Sequence, residues 1–220
     1  MSETGQKLAR YLLETRTLLN HLGEFATAVA EWDSPGIWRQ KMAPELADAL
    51  GVDPTQPLPE ESLARLFAGR KVDTGEKWAK EKREIVAVDL TAAPHKSVSI
   101  AVILATSKAE RAALLQAIRQ ANDYAMHALA ARLGVARLGA AGSKGWIQGD
   151  IGWISLLHFT ARPTSASRNG PHGQGVVTGK HVPCDPHIHI HNIDFNLAHL
   201  IHGNSATRRK TLDFQWVTMS

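Results

Sequence analysis

Apolar positions recur with a helical period early in the chain and with a strand period further on. Residues 6–32 carry Leu8, Leu12, Leu19, Leu22 and Val29 among polar neighbours, which predicts an amphipathic helix broken by Pro35-Gly36. A small helical unit follows. Pro44 opens a helix through Leu50 with Gly51 as its stop, DPTQPLP makes a turn, and Glu60 to Ala68 forms a further helix closed by Gly69. Residues 70–84 are polar and charged and read as a linker. The period then changes to two. In IVAVDLT (85–91), Val86, Val88 and Leu90 share one face, and Asp89 and Thr91 the other. SVSIAVIL (97–104), rich in β-branched residues, predicts a second strand.

Ser107 and Glu110 have the spacing of a capping box, opening a long helix to about Leu133 with Gly134 as its stop. Leu114, Ile118, Ala121, Ala125 and Leu129 give that helix one apolar face, and Tyr124 on it is assigned to packing. A Gly-rich loop spans 139–149. GWISLLHFTAR (152–162) and HIHIHNIDFN (187–196) are two more strands. The fold class expected is α+β, a central antiparallel sheet with flanking helices on one side and a histidine-lined cleft. The expected organisation is one domain over 1–220, with 1–70 mainly helical and 84–220 holding the mixed sheet.

Composition narrows the chemistry. With 220 residues, 44% hydrophobic and 21% charged, the chain can build a core and is not compositionally disordered. A net charge of +4 and a pI near 9.3 suit a polyanionic partner without requiring one. The single cysteine, Cys184, excludes an internal disulfide and any Cys-rich zinc module. No apolar stretch is long enough to cross a membrane and MSETGQKLAR has no apolar signal region, so a soluble cytoplasmic protein with no membrane partner is expected. Most of the 11 histidines lie in the last third of the chain.

In DPHIHIHN (185–192), a strand puts His187, His189 and His191 on one face and Ile188 and Ile190 on the other. Neighbours on one face lie roughly 6.5–7 Å apart, so two imidazoles can reach one ion at ~2.1 Å per bond, while the outer two, about 13 Å apart, cannot. The third ligand should come from a neighbouring strand, and His158, which shares a strand face with the apolar Ile154 and Leu156, is the best candidate. Competing readings are solvent-facing histidines on an edge strand and, for His158, a core histidine bonded to a carbonyl. Asp89 could cap a turn or orient a ligand histidine. Three neutral imidazoles leave an ion's charge available to polarise a phosphodiester, but the spacing suits zinc hydrolysis equally well.

VDLTAAPHKSVS (88–99) resembles the motif of conjugative relaxases of the MobF (TrwC/TraI) class, in which an aspartate precedes a PKSVS-like run. LHFTAR (157–162) is similar to that family's HETSR-like strand, and DPHIHIH (185–191) to its DPxLHTH element. Trp38, Pro44-Glu-Leu and Phe67-Ala-Gly69 resemble the spacer ahead of the catalytic strand, so the likeness runs from about residue 36 to the end.

The resemblance implies His158, His189 and His191 as metal ligands, and Asp89 as the residue that activates the nucleophile or orients a ligand. His187, at the variable position of the motif, becomes a cleft residue. It further implies a divalent cofactor, Mg or Mn with Zn or Ni also able to bind. The implied reaction is nicking of single-stranded plasmid DNA at a transfer origin, with a tyrosine joined to the 5′ phosphate and accessory proteins of a relaxosome as further partners. Lys96, Arg162, Arg168 and His187 are the expected DNA contacts, while the Arg208-Arg209-Lys210 run is read as a solvated loop or, alternatively, a further phosphate contact. The family carries paired tyrosines ahead of the spacer, where this chain reads GEFATAVAEW (23–32). Its two tyrosines are Tyr11 and Tyr124; Tyr11 is the candidate nucleophile, and packing of the 6–32 helix onto the domain is the competing reading. The chain stops at Ser220, soon after the histidine strand where relatives continue, so an incomplete C-terminus is expected.

Three rivals share parts of this pattern. A cupin-like metal-binding module uses an HxH pair but adds a glutamate, absent from residues 192–220, and has no place for a long helix. A non-catalytic remnant that binds single-stranded DNA would keep the metal and lose the tyrosine chemistry. A rolling-circle initiator carries its tyrosine after the HxH element, and no tyrosine follows His191.

Overall fold

The computed structural model describes residues 3–13, 36–56, 58–78, 86–137, 145–160 and 186–200. In chain order the elements are α1 (Glu3–Leu13), β1 (Gly36–Lys41), α2 (Pro44–Leu50), α3 (Glu60–Phe67), β2 (Ala87–Ala92), α4 (Lys96–Leu104), α5 (Lys108–Leu133), β3 (Val135–Arg137), β4 (Trp146–Thr160) and β5 (Pro186–Leu200). β1, β4, β5 and β2 pair antiparallel in that order, and β3 pairs with β4.

Local chemistry accounts for the helix ends. Pro44 occupies the first turn of α2, where its missing N–H is not needed, and Gly51 closes the helix in the left-handed region at φ 65°. Glu60 and Glu61 sit at the positive end of α3 and Arg65 at its negative end. The Ser107 hydroxyl accepts from the Glu110 N–H at 3.1 Å, as the capping box predicts. The Glu110 carboxylate reaches back one residue further than the motif requires, accepting from the Thr106 N–H at 2.9 Å.

Alternation along the two central strands decides what each face buries. Ile154 and Leu156 of β4 join Ile193, Phe195 and Leu197 of β5 on the face covered by α1, α2 and α3, in a cluster with Leu46, Leu50, Leu63, Leu66 and Trp78. Leu157, Phe159, Ile188 and Ile190 pack on the opposite face against Val102 of α4 and Leu115 and Ile118 of α5. Each such side chain, fully buried, contributes on the order of 2 kcal/mol. Helices therefore flank both faces, whereas the sequence pattern predicts them on one side. Gly152 is required where β1 ends, because a Cβ there would collide with the Met42 side chain.

Further expectations are corrected. The predicted strand 97–104 is helix α4: the His95 ring caps it, accepting from the Ser97 N–H at 3.4 Å, and the β-branched run packs against α5 and β5. Residues 70–78 are not a linker; Trp78 is buried and Val72 N–H bonds the Leu50 carbonyl at 2.9 Å. Residues 145–149 lead into and start β4, and 36–41 form β1. The buried face of α5 is Leu115, Ile118, Asn122 and Met126, which shares Ile118 with the predicted ladder and is otherwise shifted by one position, and Tyr124 is 80% exposed and does not pack. In α1, Ala9 is buried and Leu8 exposed, and residues 14–32 of the predicted N-terminal helix lie outside the described residues. No helix among the described residues is long and apolar enough to cross a membrane.

Candidate metal centre

β4 and β5 pair so that His158 stands opposite His189, with His191 opposite Leu156. The side chains of His158, His189 and His191 project on the face shared with Ile154 and Ile193, next to the end of that hydrophobic cluster. They are 5%, 9% and 6% exposed. One ring nitrogen from each lies within 4.8 Å of the others, close enough to hold a single ion. Ring centroids are 4.6 Å apart for His158 and His191, 5.2 Å for His158 and His189, and 5.0 Å for His189 and His191. One histidine of β4 and two of β5 are thus brought together.

Hydrogen bonds at Nδ1 decide which nitrogen is presented. The His191 Nδ1–H donates to Asp89 Oδ2 at 2.7 Å, and the His189 Nδ1–H donates to the His187 carbonyl at 2.9 Å. Both rings thereby carry their proton on Nδ1 and their lone pair on Nε2, the tautomer that a carboxylate or carbonyl behind a ligand histidine favours. Burial lowers the pKa of His189, partly countered by the His187 carbonyl, so the neutral form that a metal needs is favoured.

Asp89 reaches His191 from β2, where it pairs with Ile193 and its neighbour Thr91 pairs with His191. Thr91 Oγ1 lies 3.3 Å from His191 Nδ1 and donates to Asp89 Oδ1 at 3.4 Å, a contact the sequence did not single out although alternation puts both residues on one face. A second group was also missed. Asn192 exchanges hydrogen bonds with Asn122 of α5 at 3.0 and 2.8 Å, accepts from the Ser155 hydroxyl at 2.7 Å and donates to the Leu90 carbonyl at 3.0 Å. It locks the residue after His191 to β2, β4 and α5 at once. Further along β5, Asp194 is fully buried, and desolvation pushes its carboxyl well above the usual range.

The other expected site residues fall in different places. His187 is half-buried and stacks on His189 at 5.3 Å outside the three-ring cluster, as the motif's variable position implies. Lys96 opens α4 and its ammonium donates to the Pro186 carbonyl at 2.6 Å. Tyr11 belongs to α1, but its side chain lies outside the described residues, as do Arg162, Arg168 and the 208–210 run. Tyr124 stands on α5, which covers the sheet face opposite the histidines.

The donor set, three imidazoles with an acidic group behind one of them, fits a divalent transition ion better than a hard, oxygen-seeking one. The family model for the TrwC relaxase matches residues 7–218. Among solved structures, the conjugative relaxase TrwC in complex with oriT DNA, in its metal-bound form, superposes with a TM-score of 0.56 at 18% identity, covering 88% of this chain and 57% of that one. The metal-free TrwC complex with oriT DNA gives 0.54 at 19%, with 84% and 56% covered. TrwC with a 27-mer DNA comprising the recognition hairpin and the cleavage site gives 0.54 at 19%, with 84% and 55% covered. The chain thus spans a little over half the length of these solved chains, and at such identities the likeness establishes the fold. Comparison of the sequence with curated proteins gives no match.

Proposed function

The chain belongs to the TrwC relaxase family, and from that premise we propose that it nicks single-stranded DNA at a transfer origin through a metal-assisted tyrosine–phosphodiester intermediate. The convergence of His158, His189 and His191 within 4.8 Å, with Asp89 bonded behind His191, carries this reading. A bound divalent ion, Mg or Mn in function with Ni or Zn also able to bind, supplies Lewis acidity toward a phosphodiester oxygen. His158, His189 and His191 would hold it through their ring nitrogens. Asp89, committed to His191 and touched by Thr91, acts in this account mainly by fixing the His191 ring.

Tyr11 is the proposed nucleophile. Its phenol, with an ordinary pKa near 10, must lose a proton as its oxygen attacks phosphorus. The bond from phosphorus to the 3′ oxygen breaks, that oxygen takes up a proton, and the 5′ phosphate stays on the tyrosine. His187, stacked on His189 beside the cluster, supplies the proposed strand contacts with Arg162 and Arg168, and accessory proteins of a relaxosome are the further proposed partners. Incubating the chain with a random-sequence single-stranded pool and Mn²⁺ tests the proposal. A protein–DNA adduct that Tyr11→Phe abolishes is expected. An adduct that survives this substitution places the nucleophile elsewhere, and no adduct with any metal leaves a non-catalytic single-strand-binding protein.

A further inference from the structure

β5 outruns its neighbour. β2 ends at Ala92, opposite Ile190, so residues 186–189 pass beyond the last strand pair on that edge. Backbone groups there need other partners. Helix α4 supplies them. The fully buried Ser99 hydroxyl accepts from the Ile188 N–H at 3.0 Å, and the Lys96 ammonium donates to the Pro186 carbonyl at 2.6 Å. Lys96 and Ser99 are three apart, hence on one helix face, and they grip two β5 residues that are two apart.

The grip falls where the sheet is irregular. Between the pairs His158–His189 and Thr160–Pro186, β5 advances three residues while β4 advances two. Such a bulge interrupts the ladder and leaves the direction of the extra residue to other contacts. Within it lies His187, whose carbonyl accepts the Nδ1–H of His189 and so sets which nitrogen that ring turns toward His158 and His191. The peptide that orients His189 is therefore bracketed by Pro186 and Ile188, both held by α4.

We propose that Lys96 and Ser99 are positioning residues for the metal centre, fixing the 186–188 backbone so that His189 presents Nε2. The proposal rests on the reading that the three histidines bind an ion, and it gives Lys96 a role other than contacting DNA phosphate. Histidine nitrogen NMR on the metal-free full chain tests the geometry, and calorimetric titration with Ni²⁺ tests its consequence. In wild type, His189 should be the Nδ1–H tautomer. Lys96→Met and Ser99→Ala should convert it to a mixture and weaken Ni²⁺ binding about 10-fold each, while Lys96→Arg, which keeps the donor, should restore both. If Ser99→Ala does not fold, the Lys96→Met and Lys96→Arg pair decides alone. Wild-type tautomer and affinity in Lys96→Met overturn the proposal, as does a loss confined to single-strand DNA affinity. If Ni²⁺ binds wild type and His189→Ala equally, the metal reading fails while the tautomer still judges the clamp.

Discussion

Replacing Asp89 with Asn keeps the shape of the side chain behind His191 and removes its charge. The bond affected is the 2.7 Å contact from His191 Nδ1, charge-assisted and therefore about twice as strong as a neutral one. Asp89 is 40% exposed, so solvent screens part of its attraction for an ion on the far side of the ring. At an effective dielectric between about 20 and 80 and a separation of roughly 6 Å, that attraction for a doubly charged ion is about 1.4–5.5 kcal/mol. Carboxylates behind ligand histidines usually account for 10- to 100-fold in metal affinity, about 1.4–2.7 kcal/mol, in the same range. Asp89→Asn should thus weaken Ni²⁺ binding by about 10-fold or more in calorimetric titration at neutral pH. Thr91→Val removes only contacts of 3.3 and 3.4 Å and should change affinity by about threefold at most. An Asp89→Asn protein binding within twofold of wild type, or a larger loss from Thr91→Val, would refute the reasoning.

His189→Ala removes a ligand and should abolish tight Mn²⁺ or Ni²⁺ binding, whereas His187→Ala, outside the cluster, should leave affinity within a few-fold; equal losses in titration would overturn the register. Asn122→Ala strips Asn192 of a buried donor and a buried acceptor, and urea denaturation should show a loss of about 1–3 kcal/mol. Asp194 has a raised folded pKa, so its contribution is complete below the ordinary carboxylate range and is lost as pH rises toward the folded value, about 1.4 kcal/mol per unit across that window. Asp194→Asn should therefore gain on wild type in urea denaturation as pH is raised from about 4.5 to about 6.5, and a gap that stays constant with pH would contradict the assignment.

The histidine site was legible because its signal is local and periodic. Alternation puts His189 and His191 on one face, distance forbids His187 as the third ligand, and His158 is the polar member of an apolar strand face. Asp89 was legible by the same parity, and Thr91 stood on the same face unexamined. Helix α4 was not legible. Eight residues, six of them apolar, satisfy a buried strand and a buried helix alike, and what decides for helix is a cap at His95 and a grip on β5 about 90 residues away. The face of α5 was displaced by one because Asn122, a polar residue, points at the sheet, where Asn192 satisfies it. An apolar ladder cannot count such a residue. The short strand β1 offers only six residues after a Pro-Gly break, too few for alternation to speak.

The central claim is that the three histidines hold the ion on which strand scission depends. Its most direct test is the yield of covalent protein–DNA adduct from the single-stranded pool, for wild type and His158→Ala, in EDTA, Mg²⁺ and Mn²⁺. The account predicts adduct from wild type with either ion, none in EDTA, and a fall of about 100-fold or more in His158→Ala, in line with a lost ligand worth roughly 2.7 kcal/mol. Equal adduct in EDTA, or an undiminished yield from His158→Ala, would contradict it.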